Sequence, residues 1–299
     1  MLSRKYRYLI ALAQERHFGR AAASCHVSPS TLSGAIRDLE GELGVALVAR
    51  GQTFSGFSSE GLVVLEHARR IAALEADCRQ RIGRPGGDFA GRIRLGVIPT
   101  ALTVVASLSK LLAERHPGIA LEIVSLNTDA IVRGVQQFQL DGGIVYAESS
   151  HVDGFDYLPI WEERHVLVAG ATTSAASLGS IGWSAAALQP LCLLTPDMQN
   201  RKTLDRVFDS LGLRPRAGVE TNSIVALLAH VGSGGWCSIL PRSVLDVVGV
   251  PQGARVVTLV EPSVNWETGL VTQRGAPQPL AVDALLGAAR TLVAGMRRN

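Results

Sequence analysis

HFGRAAASCHVSPSTLSGAIRDLEGELGVALVARGQTFSGFSSEG, residues 17–61, decides the architecture of the N-terminal third. Ala21-Ala22-Ala23 give a helix a face smooth enough for a second helix to approach closely. Cys25-His26-Val27 reads as a tight turn. Ser28 then supplies an N-cap and Pro29 the first helical position. Leu32, Ala35, Ile36, Leu39 and Leu43 follow at the spacing of one buried helical face. Ser28, Ser30, Thr31 and Ser33 put short polar groups at the start of this helix, and Arg37 follows one turn on. Close helix contact, a tight turn and a polar second N-terminus together meet the requirements of a helix-turn-helix. Each feature alone has an ordinary reading: small-residue contacts occur in many cores, Ser28 is foremost a cap, and Arg37 has Asp38 and Glu40 within reach as partners.

Outward from this stretch, residues 4–15 read as a preceding helix with Tyr8, Ile10 and Leu12. Residues 45–48 and 54–57 flank Arg50-Gly51-Gln52 as a small hairpin, a wing with a basic tip. From Ser58 to about Arg81 a longer helix carries Val64, Ala68, Ile71, Leu74, Cys78 and Ile82 near heptad spacing, a stripe that calls for a partner helix. Arg84-Pro85-Gly86-Gly87-Asp88 reads as a linker. Beyond it the rhythm changes. Strands are expected at 92–98, 121–126, 142–146, 164–168, 191–194, 236–241 and 269–272, with helices at 100–115, 129–138, 201–211, 223–231 and 279–296. Alternating strands and helices imply a parallel α/β arrangement, here in two lobes.

Composition narrows the class. Of 299 residues, 47% are hydrophobic and 18% charged, which suits a packed globular chain. The first 85 residues hold 12 basic and 8 acidic residues, and the rest 17 and 18, so the positive excess is N-terminal, as contact with a polyanion requires. No signal-peptide pattern and no membrane-length apolar run is read, and the expected location is the cytoplasm. Cys25, Cys78, Cys192 and Cys237 form no metal-ligand spacing and are expected as reduced thiols. A redox pair of Cys192 with Cys237 has no local sequence support.

The 17–61 run resembles the N-terminal signature of LysR-type transcriptional regulators, and the likeness extends along the chain through the linker helix and the two lobes. The resemblance implies a winged helix-turn-helix over 1–58, a linker and dimerisation helix with its hinge over 59–90, and an α/β effector domain over 91–299 resembling periplasmic binding proteins. Its first lobe is expected at about 91–161 with 267–299, its second at about 162–266. The implied readers of double-stranded DNA are Ser28, Pro29, Ser30, Thr31, Ser33 and Arg37, with Arg50 and Gln52 on the wing. Two positions depart from the family pattern: Pro29 stands where a glutamine is usual and Gly34 where a long polar side chain is frequent. The resemblance also implies a homodimer formed through Val64, Ala68, Ile71, Leu74 and Cys78 and assembling to a homotetramer, with RNA polymerase as a further partner.

A small-molecule effector is implied between the lobes. The helix N-terminus at Thr100-Ala101 offers free N–H groups to an anion, with Thr100 either ligand or cap. Asn127 and Thr128 face it from the same lobe, and Asn200, Arg201 and Asn222 from the other, Arg201 either as a carboxylate partner or as a solvent-facing arginine at a helix start. A small, anionic effector is expected. RHFGRAA (16–22), RGQTFSGF (50–57) and GVIPTAL (96–102) resemble the subgroup adjacent to formate dehydrogenase operons, which implies formate or another small carboxylate; no cofactor or metal is expected. Two other classes compete. A cytoplasmic small-molecule-binding module without specific DNA readout accounts for 91–299 but not for the wing. An enzyme would have to use Glu162, Glu163 and His165, but neighbouring strand residues face opposite sides, and no nucleophile triad or metal set accompanies them.

Overall fold

The computed structural model describes residues 3–49, 54–83, 91–147, 152–275 and 278–296, in two compact units: 1–87 with 137–139, and 88–136 with 140–299.

The first unit is built on helices α1 (Arg4–Glu15), α2 (Phe18–Ser24), α3 (Pro29–Leu43) and α4 (Ser59–Gly83). Ser3 caps α1, and Arg16 ends it in the left-handed region. His17 then caps α2, its Nδ1 accepting from the N–H groups of Gly19 and Arg20 at 3.1 and 3.3 Å. The turn into α3 bends at His26, whose φ is 56°. Ser28 Oγ accepts from Thr31 N at 3.1 Å, and Gly44 closes α3 with φ 69°. Leu12, Ala21, Ala22, Leu32 and Ile36 form the inner core, with Phe18, Phe54 and Phe57 packed against it. The small-residue contact expected between α2 and α3 is present, with Ala21 and Ala22 fully buried.

The wing is anchored at its base. Val48 bridges Phe57, and Ala49 N donates to Gly56 O at 3.0 Å. Ser58 accepts from Gly61 N at 2.9 Å and donates to Ala46 O at 2.5 Å, which ties the start of α4 to the strand before the wing. Gly61 packs so closely there that a Cβ would run into the Leu47 carbonyl.

The second unit opens with β1 (Gly91–Val97), α5 (Leu102–Arg115), β2 (Ile119–Ser125), α6 (Thr128–Gln136) and β3 (Gly142–Tyr146). A long β4 (Phe155–Ala169) follows, then β5 (Ser180–Gly182), α7 (Trp183–Ala186), β6 (Leu191–Leu194), α8 (Gln199–Ser210), β7 (Ala217–Thr221), α9 (Ile224–Gly232), β8 (Cys237–Pro241) and α10 (Arg242–Val248). β9 (Arg255–Val260), β10 (Asn265–Gln273) and α11 (Leu280–Met296) complete it. The hydrogen-bonded order is β2-β1-β3-β10-β4-β8-β6-β7, with β9 pairing β4 and β5. The parallel strands are β2-β1-β3, β7-β6-β8 and β5-β9; β10 and β4 run antiparallel to their neighbours.

One core lies around β1, β3, α5 and α11. Two more cover the opposite faces of the second lobe's sheet. Trp266 packs against the first lobe's core and one of the second's. The expected lobe boundaries at 161/162 and 266/267 fall inside β4 and β10, which continue through them. Among the described residues, no helix is long and apolar enough to cross a membrane.

Candidate functional site

The first turn of α3 presents its polar groups outward. Ser28, Pro29, Ser30 and Thr31 are exposed and Ser33 half-buried. The Ser28 hydroxyl lies 2.8 Å from both Ser30 Oγ and Thr31 Oγ1 while it caps the helix, so capping and display coexist in one residue. The helix dipole adds partial positive charge at this end, as an anionic backbone requires. Arg37 is exposed one turn on, with a long 3.5 Å contact from Nε to the Ser33 carbonyl. Glu40 is not engaged with it: its Oε1 accepts from the N–H groups of Leu47 and Val48 at 2.7 and 3.1 Å, fixing α3 to the wing strand. A Cβ on Gly34 would meet open space. Arg50 and Gln52 lie outside the described residues.

The expected stripe on α4 divides in two. Ala68 is fully buried and Val64 half-buried within their own unit, beside Leu65. Ala68 therefore packs within its own unit, and Val64 is partly engaged there. Ile71, Leu74, Cys78 and Ile82 of the stripe remain exposed, Ile82 by 74%, and Val63, which the stripe did not include, is exposed beside them. They fall within an arc of about 100° at the 100° per residue of an α-helix.

In the second unit the two lobes share a buried polar network. Thr100 Oγ1 lies 3.0 Å from Tyr146 Oη, and Tyr146 donates to Glu163 Oε2 at 2.7 Å. Trp161 Nε1 donates to the other carboxyl oxygen at 3.1 Å. Asn200, on α8 of the second lobe, gives its amide N–H groups to Tyr146 Oη at 3.4 Å and His165 Nε2 at 2.6 Å. Glu163 and His165 are two apart on β4 and face the same way, both at least 95% buried, while Glu162 and Arg164 point to solvent. Burial raises the Glu163 carboxyl to about 7 against the pull of Tyr146, Trp161 and Ser243. Burial also lowers His165 to about 3 and raises Tyr146 far above its ordinary range, with the charge of Glu163 adding to the latter.

The structure brings Thr100 and Asn200 together through Tyr146, but in roles the sequence does not predict. Thr100 lies in a 3₁₀ turn (Pro99–Ala101), and its hydroxyl is spent on Tyr146 rather than on a cap. Ala101 is fully buried in the same turn. Thr128 is buried with its hydroxyl unpartnered. Asn127 caps α6 through Ala130 N at 2.9 Å and reaches Asp197 across the lobes at 3.4 Å, where Lys202 also meets Asp129 at 3.5 Å. Asn222 is exposed, and Ser223 is the residue that caps α9. Arg201 is no open carboxylate receptor: its guanidinium bonds Asp205 at 2.8 Å, Glu220 at 2.7 Å and the Leu194 carbonyl at 2.9 Å. Tyr146 and Trp161 carry no warning in the sequence. For Glu163 and His165 the signal is present, polar residues at a two-residue spacing entering an apolar run.

Cys192 and Cys237 belong to cores on opposite faces of the second lobe's sheet. Leu191 pairs with Cys237 across β6 and β8, so Cys192, one residue on, points away from it. A disulfide between them would require the strands to be rebuilt. Burial raises the Cys192 thiol to about 11, which suppresses its nucleophilic form.

A family model for the LysR substrate binding domain matches residues 86–294, and one for the bacterial regulatory helix-turn-helix protein of the lysR family matches residues 3–61. The chain is 25% identical over 293 residues to the DNA-binding transcriptional dual regulator OxyR of Escherichia coli (strain K12), spanning 98% of this chain and 96% of that protein. It is 36% identical over 163 residues to a probable hydrogen peroxide-inducible genes activator of Mycobacterium xenopi, spanning 54% of this chain and 85% of the other. Among solved structures it resembles a full-length OxyR substitution variant from Pseudomonas aeruginosa, with TM-score 0.79, 24% identity and coverage of 97% and 95%. It also resembles full-length CbnR complexed with its target DNA, with TM-score 0.67, 21% identity and coverage of 97% and 99%.

Proposed function

Because the chain belongs to the LysR family of DNA-binding transcriptional regulators, which are not enzymes, we propose that it reads double-stranded DNA through the first turn of α3 and answers to a small polar effector held between its lobes. The observation that carries the DNA half is the outward cluster of Ser28, Ser30, Thr31 and Ser33 with Arg37 exposed beyond it, on a helix whose inner face is fully committed to the core. The relative crystallised on its target DNA supports the same reading. The effector half is supported by the polar network joining Thr100, Tyr146, Glu163 and Asn200 across the lobes. The protein acts in the cytoplasm, with RNA polymerase as a further partner. Formate and other small carboxylates are the effectors suggested by its sequence.

Gel shift on the DNA upstream of its own gene tests this reading. Arg37→Ala is expected to weaken binding about tenfold or more, in line with the roughly 1–3 kcal/mol of a well-placed arginine contact on DNA. Undiminished affinity at physiological salt would remove Arg37 from the interface.

Two chains pair through the exposed arc of α4 and present two winged helices to a dyad-symmetric site; such dimers then assemble in pairs. Ile71→Asp with Leu74→Asp places two charges in that arc, where neither side chain is buried within its own chain. Sedimentation is expected to show monomers at micromolar concentration with an unchanged circular dichroism spectrum. Persisting oligomers of the same size would rule the α4 seam out.

A further inference from the structure

Glu163 is 2% exposed, and the polar groups beside its carboxyl, from Tyr146, Trp161 and Ser243, are all uncharged. The charged side chains on the elements packed against it are engaged elsewhere or solvated. Arg201 on α8 is bound by Asp205 and Glu220, Arg242 on α10 by Asp246, and Glu267 on β10 is exposed. Tyr146 and His165 both stay neutral through the physiological range, the first raised and the second lowered by burial. Glu163 is therefore the group in this network that changes charge near neutrality.

Two further atoms in the network lack partners. Asn200 spends its N–H groups on Tyr146 and His165, which leaves its Oδ1 a buried acceptor with nothing to accept. His165 accepts that bond at Nε2, so its proton sits on Nδ1, a buried donor with no acceptor. Both residues are at least 95% buried. An unsatisfied buried donor and acceptor each carry a desolvation cost that a complementary guest removes.

We propose that the site between the lobes selects an uncharged ligand carrying both a hydrogen-bond donor and an acceptor, a primary amide or the protonated form of a small carboxylic acid, and that Glu163 is the residue that turns free carboxylates away. This rests on the reading of the cleft as the effector site. It departs from the anionic class expected from the sequence, because Arg201 is already paired and a carboxyl group stands in the same network. A carboxylate enters only with one proton, shared with Glu163. Below about pH 7 Glu163 holds that proton; above it the group ionises and repels the anion, so affinity falls about tenfold for each further pH unit.

Calorimetry on the full-length protein with formate, formamide, acetate and acetamide at pH 6 and pH 8 tests the proposal. The amides are expected to bind equally at both pH values, and the carboxylates at least tenfold more tightly at pH 6. In Glu163→Gln the pH dependence disappears and carboxylates bind at pH 8. A companion measurement needs no ligand: tryptophan emission is expected to titrate near pH 7 through the Trp161 contact, and to lose that transition in Glu163→Gln and in Trp161→Phe. Carboxylate binding as tight at pH 8 as at pH 6, no heat from any of the four probes, or an emission transition that survives Glu163→Gln would each overturn it. Failure of the effector-site reading itself looks different: a ligand that releases the protein from DNA would bind Glu163→Gln and Asn200→Ala as it binds the wild type.

Discussion

Gly61→Ala is expected to destabilise the N-terminal unit by about 3 kcal/mol or more and to abolish specific DNA binding at 37 °C. The added Cβ meets backbone, the carbonyl of Leu47, rather than the movable end of a side chain. That carbonyl already accepts from Ser58 N, and Leu47 itself is fully buried and donates its N–H to Glu40. Relief therefore has to displace the wing strand or the start of α4, and both are pinned. A unit of this size is stable by about 4–13 kcal/mol at ordinary stability per residue, so the loss is a large share of the total. Gly34→Ala is the matched control. Its Cβ points into open space within a helix, and alanine there is expected to stabilise by about 1 kcal/mol. Thermal melts of the two variants should move in opposite directions. If Gly61→Ala melts with the wild type, the tight joint between α4 and the wing strand is not what holds this unit together.

The second large effect lies in the other unit. Arg201→Met is expected to destabilise the ligand-free protein by about 3 kcal/mol, near the lower end for breaking an ion pair on one side. Arg201 keeps 11% of its side chain exposed, but Asp205 and Glu220 keep 38% and 43%, so water relieves part of the charge left behind. Methionine retains the packing of the stem along α8 and removes only the guanidinium. The measurement is urea unfolding without ligand. A residue that served as carboxylate receptor would leave this curve unmoved and act on affinity alone, and that result would return Arg201 to the effector site.

How much of this was readable beforehand varies from residue to residue for physical reasons. The Ser28-Pro29 start of α3 and the strand at 142–146 are local signals, set by capping and by an apolar run, and they fall where the sequence places them. His17 as the cap of α2 escapes notice because histidine is not a usual capping residue. The strand expected at 164–168 runs from Phe155, since its outer half alternates between solvent and core and its charged residues disguise it. The buried polar network is least legible. Its members come from β3, β4, α8 and the turn before α5, and only the folded chain brings them together. Arg201 misleads for the same reason: its partner Glu220 lies 19 residues away on β7, which the sequence does not announce.

The run of β4 through both sheets also bears on how such a protein changes over evolutionary time. Its 15 residues bond β10 along the first part and β8 and β9 along the last, with no loop between. A crossover that exchanged one lobe with a homologous gene would have to cut inside this strand and restore the register on both sides. Loops are the usual places where modules are traded. The two lobes should therefore be inherited as a block, and new properties of the network they share should arise by point changes around Glu163 rather than by shuffling.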